Sequence, residues 1–206
     1  MDSLAVTAIT DFILACEALF FAGMLAQRPK QRGSAAWYWN GVLITLGLAG
    51  LVAGIDHGFV EPAGLSRLPV QRLSWWLLGA MTLSMVLTLA AQFFSGRVAR
   101  GIAIAGVLQF VAYVLAVPGF DSYFVVIVDY APVLLGFLLM NLWGLRRGTG
   151  SWPMVLGLVT LALASVLQAS GRDGPGWLDH NVLYHLVAMP GLVLLHLGGR
   201  RLKVTL

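Results

Sequence analysis

An all-α bundle of seven membrane-spanning helices is the fold this sequence predicts, on three observations. Hydrophobic residues make up 59% of the 206 residues and charged residues only 11%, with a mean hydropathy of +0.84. That leaves too few charges to coat a water-soluble globule. The apolar residues fall into seven runs near the roughly 20 residues that a helix needs to cross a bilayer. The basic residues gather in every second loop. Residues 1–206 read as one domain, with no internal repeat or low-complexity tract.

The first run, residues 4–26, lacks the basic leader and small-residue cleavage site of a signal peptide and is expected to stay in the mature protein. After the loop Gln-Arg-Pro-Lys-Gln-Arg-Gly, a second helix is expected over 35–59, opened by the interfacial aromatics Trp37, Tyr38 and Trp39. Its Gly47, Gly50 and Gly54 recur at the spacing of close helix packing. Pro62, Gly64 and Pro69 mark the next loop. Further helices follow over 70–94, 101–117, 122–145, 152–170 and 177–199.

Loop charge predicts orientation. Arg28, Lys30, Arg32, Arg97, Arg100, Arg146, Arg147, Arg200, Arg201 and Lys203 fall on one side, and only Arg67, Arg72 and Arg172 on the other. The positive-inside rule then puts the N-terminus outside and the C-terminus in the cytoplasm, as an odd helix count requires. The pI of about 9.6 reflects these short loops, so nucleic acid is not an expected partner; membrane lipids are. The single cysteine, Cys16, lies in an apolar run, which excludes a disulfide framework or a cysteine-rich metal site.

In that orientation the scattered polar residues become a cluster. Helix two ends outward at Asp56 and His57, and helix seven starts outside with Asp179, His180, Asn181 and His185. Asn181 and His185 share a helical face, whereas His180 lies about 140° round from His185. Asp129 falls about 10 Å below the start of helix five, at a depth comparable to Asp11 in helix one, with Glu17 deeper and Gln168 closing helix six. Ionisable residues inside a membrane are costly and turn inward, and they default to a functional role with a named partner. Glu17 reads instead as interhelical hydrogen-bonding glue, and Asp56 and Asp179 as interfacial acids, Asp179 also suiting a helix cap.

Imidazoles and carboxylates are zinc ligands, and a catalytic zinc takes three protein ligands and one water. His57 and His185 supply two, with His180, Asn181 or an acid as third contact; Asp129 is the expected acid or base, and Asp11 the supporting carboxylate. Such a site predicts hydrolysis of an amide or ester at membrane depth. Three other readings stay open: a carrier of at most one haem, a small transporter or proton relay through Asp11, Glu17, Asp129 and Gln109, and a noncatalytic sensor or accessory subunit.

The segments Gly-Leu-Ala-Gly-Leu-Val-Ala-Gly-Ile-Asp-His-Gly-Phe of helix two and Asn-Val-Leu-Tyr-His-Leu-Val-Ala-Met of helix seven resemble the signature helices of the seven-helix CREST hydrolase superfamily, which includes alkaline ceramidases and the progestin and adipoQ receptors. Helix count, order and topology agree. The resemblance implies a zinc site with His57 as first ligand and His185 as last. Asn181 stands where the superfamily has its other helix-seven histidine, Ala53 where it has a serine, and helix three carries no acid. The His-Asn-x-x-Tyr-His start of the last helix is similar to that of small bacterial membrane proteins, which implies a bacterial inner membrane and no established substrate.

Overall fold

The computed structural model describes residues 3–205, so residues 1, 2 and 206 of the expected single domain lie outside it. Among the described residues the elements are helices and no strand occurs. They are α1 Ser3–Ala26, α2 Ala35–Ile55, α3 Leu68–Phe93, α4 Gly96–Ala116, α5 Phe124–Leu145, α6 Trp152–Ala169 and α7 His180–Gly199. All seven are long and apolar enough to cross a membrane, the pattern of an integral membrane protein.

The helix boundaries refine the expected ones, each for a local reason. Beyond Ile55 the chain continues as a π-helical turn, Asp56–Val60, whose wider winding shows in the Glu61 amide donating to Asp56 O at 2.9 Å. Pro69 sits in the first turn of α3 rather than in the loop. A proline costs nothing there, because the N–H it lacks would have no intrahelical partner. α4 begins at Gly96, five residues early, with the exposed Arg97 and Arg100 on its first turns. Long basic side chains reach away from an apolar helix end and so let the helix extend past the apolar run. α7 begins at His180 because Asp179 caps it, its Oδ1 accepting from the Val182 amide at 2.8 Å.

Six helices close into a ring: α1 packs on α2 and α7, α7 on α6, α6 on α5, α5 on α3, and α3 on α2. α4 lies outside this ring against α3 and buries only Gly106 and Tyr113. Small residues set the closest approaches. Gly47, Gly50 and Gly54 of α2 face Leu19, Ala15 and Phe12 of α1, and a Cβ on Gly50 would lie 3.1 Å from that of Ala15. One end of the ring is filled by Trp39, Leu43, Phe137, Met154, Leu158 and Leu192. At that end Arg28 donates to Arg200 O, and Gln92 joins Thr149 O to the Lys203 amide. The opposite end, where α1, α3, α5 and α7 begin, is polar and hollow.

Candidate functional site

The site grows from one face of α1. Asp11 and Leu14 follow Thr7 at steps of four and three, and Thr10 follows it by three, so the four lie along one stripe, and all four are buried. Thr7 donates to Asp179 Oδ2 at 2.9 Å, which ties the start of α7 to α1. Asp11 sits one turn further in. Its Oδ2 is 2.8 Å from His57 Nδ1, and its Oδ1 is 3.1 Å from His185 Nε2. One carboxylate thus joins the end of α2 to the second turn of α7.

The two imidazoles differ in what remains free. His185 is 5% exposed, and both its nitrogens are engaged, Nδ1 lying 2.8 Å from Thr10 Oγ1. For His57 Nε2 there is no hydrogen-bond partner among the described residues, and the atom is not sealed in protein. His57 lines a cavity of about 420 Å³ whose wall also carries Asp11, His185, Asn181, Gln168 and His180. That volume lies within the range of small-molecule sites.

Behind His57 the next residue is an anchor. Asp56, expected as an interfacial acid, is 3% exposed and takes Arg67 Nε at 3.1 Å, Arg67 Nη2 at 2.8 Å and Gln71 Nε2 at 3.3 Å. The π-helical turn rotates it inward, and the α2–α3 loop delivers the arginine. Hydrogen bonds donated to Asp56 hold the Arg67 guanidinium even more firmly protonated than usual.

Three of the expected contacts are tied elsewhere. His180 Nδ1 is 2.8 Å from Asp173 Oδ1, and those hydrogen bonds hold the Asp173 carboxyl below its usual range. Asn181 Oδ1 accepts from Gln168 at 3.1 Å. Asp129 does not line the cavity: its Oδ1 accepts from Gln109 of α4 at 3.0 Å. Depth alone suggested Asp129, but on α5 it is Tyr123, Ile127 and Tyr130 that share the cavity face, and residue 129 is turned about 100° from residue 130. Glu17 also lies outside the cavity wall.

Zinc was the expected occupant, and the donor types suit it. Here those donors bond to one another. Both Asp11 oxygens and both His185 nitrogens are spent on hydrogen bonds, and among the described residues no three His, Cys, Asp or Glu side chains are grouped to hold a metal ion. What the geometry offers is an imidazole oriented by a carboxylate, with its second nitrogen open to a cavity. That is the layout of a general base.

Residues 6–204 match the model of a family of unknown function, DUF6962. The chain belongs to that family. The match runs from α1 to past α7 and contains Asp11, His57 and His185. No curated protein and no solved structure matches the chain.

Sequence reasoning had Asp11 but not its central place, and it missed Thr10, Tyr123, Tyr130 and Tyr184. The i, i+3 spacing of Thr7 and Thr10 and the i, i+7 spacing of Tyr123 and Tyr130 were the available signals.

Proposed function

We propose that this chain is a membrane-embedded hydrolase for a lipid amide or ester, with His57 as general base and Asp11 as the carboxylate that orients it. The observation that carries the reading is the Asp11 to His57 contact at 2.8 Å in a cavity wall. With the Nδ1 proton donated to Asp11, the lone pair of His57 Nε2 is available to a water in the cavity. The water gives a proton to Nε2 as its oxygen bonds to the acyl carbon. The proton then passes to the leaving amine or alcohol as the carbon–nitrogen or carbon–oxygen bond breaks. Asp11 offsets the charge of the imidazolium, and His185 holds the other carboxylate oxygen in place.

The proposal extends to orientation and kinship. The concentration of basic residues at the C-terminal end supports an external N-terminus and a site in the outer leaflet of a bacterial inner membrane. A distant kinship with the CREST hydrolases would explain the positions of His57 and His185, with the α1 carboxylate taking the place of the missing ligands.

The test is release of fatty acid from N-acyl and O-acyl lipids by purified protein in lipid nanodiscs, read by mass spectrometry. Turnover lost in Asp11→Asn and His57→Ala supports the reading. A folded wild type that cleaves none of these lipids overturns it. The weight would then move to a noncatalytic lipid sensor, which the alanine at position 53 favours, since it leaves no hydroxyl one turn before His57.

A further inference from the structure

The cavity continues inward. Beneath it lies an apolar slot of about 60 Å³. Leu43, Leu46, Met81, Met85, Leu158 and Leu192 are among the residues that line it. Tyr123, Tyr130, Tyr184 and Ser165 belong to both walls and so mark the waist between polar mouth and apolar slot.

At this waist the polar accounting of the three tyrosines is incomplete. A phenol in a protein interior normally finds a partner, as Tyr113 does by donating to Trp75 O at 2.9 Å. None of the hydroxyls of Tyr123, Tyr130 and Tyr184 has a hydrogen-bond partner among the described residues, and none is sealed off from a probe. Two of the rings are held by aromatic neighbours: Tyr184 packs edge-on to His185 with centroids 5.3 Å apart, and Tyr123 edge-on to Trp75 at 6.4 Å. Burial holds the Tyr123 phenol far above its ordinary pKa, so it stays a donor.

We infer that Tyr123, Tyr130 and Tyr184 form a collar of hydroxyl donors for the carbonyl oxygen of a single-chain, non-phosphorylated amphiphile, whose chain enters the slot and whose head stays in the mouth. The slot's small volume and apolar deep lining suit one hydrocarbon chain rather than two. The carbonyl belongs at the waist because that is where unpaired donors face an otherwise apolar wall, beside the Asp11 and His57 pair. No lysine or arginine lines the cavity among the described residues, while Asp11, Asp56 and Asp121 do. Asp56 and Asp121 are already paired with Arg67 and Arg72 behind the wall, so the wall presents no unpaired cation to a phosphate, and the head is neutral or cationic. Donors aimed at such an oxygen also stabilise the oxyanion that forms during acyl cleavage. The collar rests on the hydrolase reading only for what becomes of the bound carbonyl.

The test is competition against a photoreactive N-acyl ethanolamine in nanodiscs, with the His57→Ala protein so that turnover plays no part. An N-dodecanoyl ethanolamine is compared with the alkyl ether of the same length and with a lysophosphatidic acid. The amide is expected to compete about tenfold better than the ether, a difference of about 1.4 kcal/mol, the order of one or two net hydrogen bonds to the carbonyl oxygen. The lysophosphatidic acid is expected to compete least. With Tyr123, Tyr130 and Tyr184 all changed to Phe, the amide should fall to the level of the ether and the ether should be unchanged, which also shows that the cavity has kept its shape. Equal competition by amide and ether before the tyrosines are changed, or a preference that survives the triple change, overturns the collar. A preference in a protein whose wild type cleaves no lipid keeps the collar and removes the hydrolase.

Discussion

His185 Nδ1 lies 2.8 Å from Thr10 Oγ1, one helix to the next across the α1–α7 seam. The threonine hydroxyl has two backbone acceptors one turn back, Val6 O at 3.0 Å and Thr7 O at 2.9 Å. His185 Nε2–H is donated to Asp11 Oδ1 at 3.1 Å, so Nδ1 is the acceptor and the hydroxyl turns its hydrogen to the ring in place of those carbonyls. That fixes the ring with Nε2 toward Asp11 and keeps the carboxylate aimed at His57. Thr10→Val keeps the shape and removes the donor. It is expected to cost about 1–3 kcal/mol of stability, the penalty of a buried polar atom left unpaired, whereas Thr10→Ser should stay close to wild type. Thermal unfolding in detergent separates the two.

Asp11→Asn leaves His57 without a carboxylate to orient it. Turnover of a cleaved lipid should fall by about 10²- to 10⁴-fold in this variant and in His57→Ala, the usual worth of a general base. Chelator treatment of the wild type should leave the rate unchanged, because the dyad needs no metal. Loss of activity on chelation, with recovery on adding zinc, would return the site to a metal centre.

Arg67 is the counter-charge of a carboxylate that is almost wholly buried. Asp56 and Arg67 side chains are 4% and 30% exposed, and removing one partner of such a pair strands the other. Arg67→Ala is expected to destabilise by about 3 kcal/mol. Adding Asp56→Asn should recover most of that. Equal melting of Arg67→Ala and wild type would show that Gln71 alone suffices for Asp56.

Asp173 links the α6–α7 loop to the first residue of α7, accepting from both the side chain and the backbone N–H of His180. Its folded pKa lies below the ordinary 3.8. The contribution is therefore complete above that value and is lost as pH falls through the lower, folded one. Hydrogen exchange in the first turn of α7, corrected for intrinsic rates, should stay flat from neutral pH down to about 4 and rise below it. In Asp173→Asn the protection should already be reduced at neutral pH.

Gly198 of α7 lies against α6. A Cβ there would stand 2.8 Å from the backbone N and Cα of Met154, which a fixed helix cannot yield without shifting. Gly198→Ala should cost about 1–3 kcal/mol, as overpacking does. Gly23→Ala, where nothing lies within 4 Å of the added carbon, is the neutral control. A melting temperature unchanged by Gly198→Ala would mean that α6 and α7 sit further apart than described.

Seven helices were legible because each is a long apolar run, and the bilayer imposes that length whatever the neighbours are. The Asp179 cap was legible for the same local reason, since an N-cap bonds within its own first turn. The direction of a side chain was not. Asp11 and Asp129 have similar depth in the chain pattern, yet Asp11 faces two histidines and Asp129 faces Gln109. All seven helices are apolar around most of their circumference, so hydropathy gives no inward face to read.

From the sequence alone follow the helix count, the sidedness of the basic loops and the presence of two histidines near one end, because these depend on composition and on spacing along one chain. Tertiary structure decided that α1, α2, α3, α5, α6 and α7 form the ring while α4 stays outside. It also decided that one carboxylate serves both imidazoles and that three tyrosines meet at a waist. The two carboxylate–imidazole contacts join residues 46 and 174 positions apart, and only the packing angles between helices, set by glycines and alanines at their contacts, bring such residues within hydrogen-bond reach.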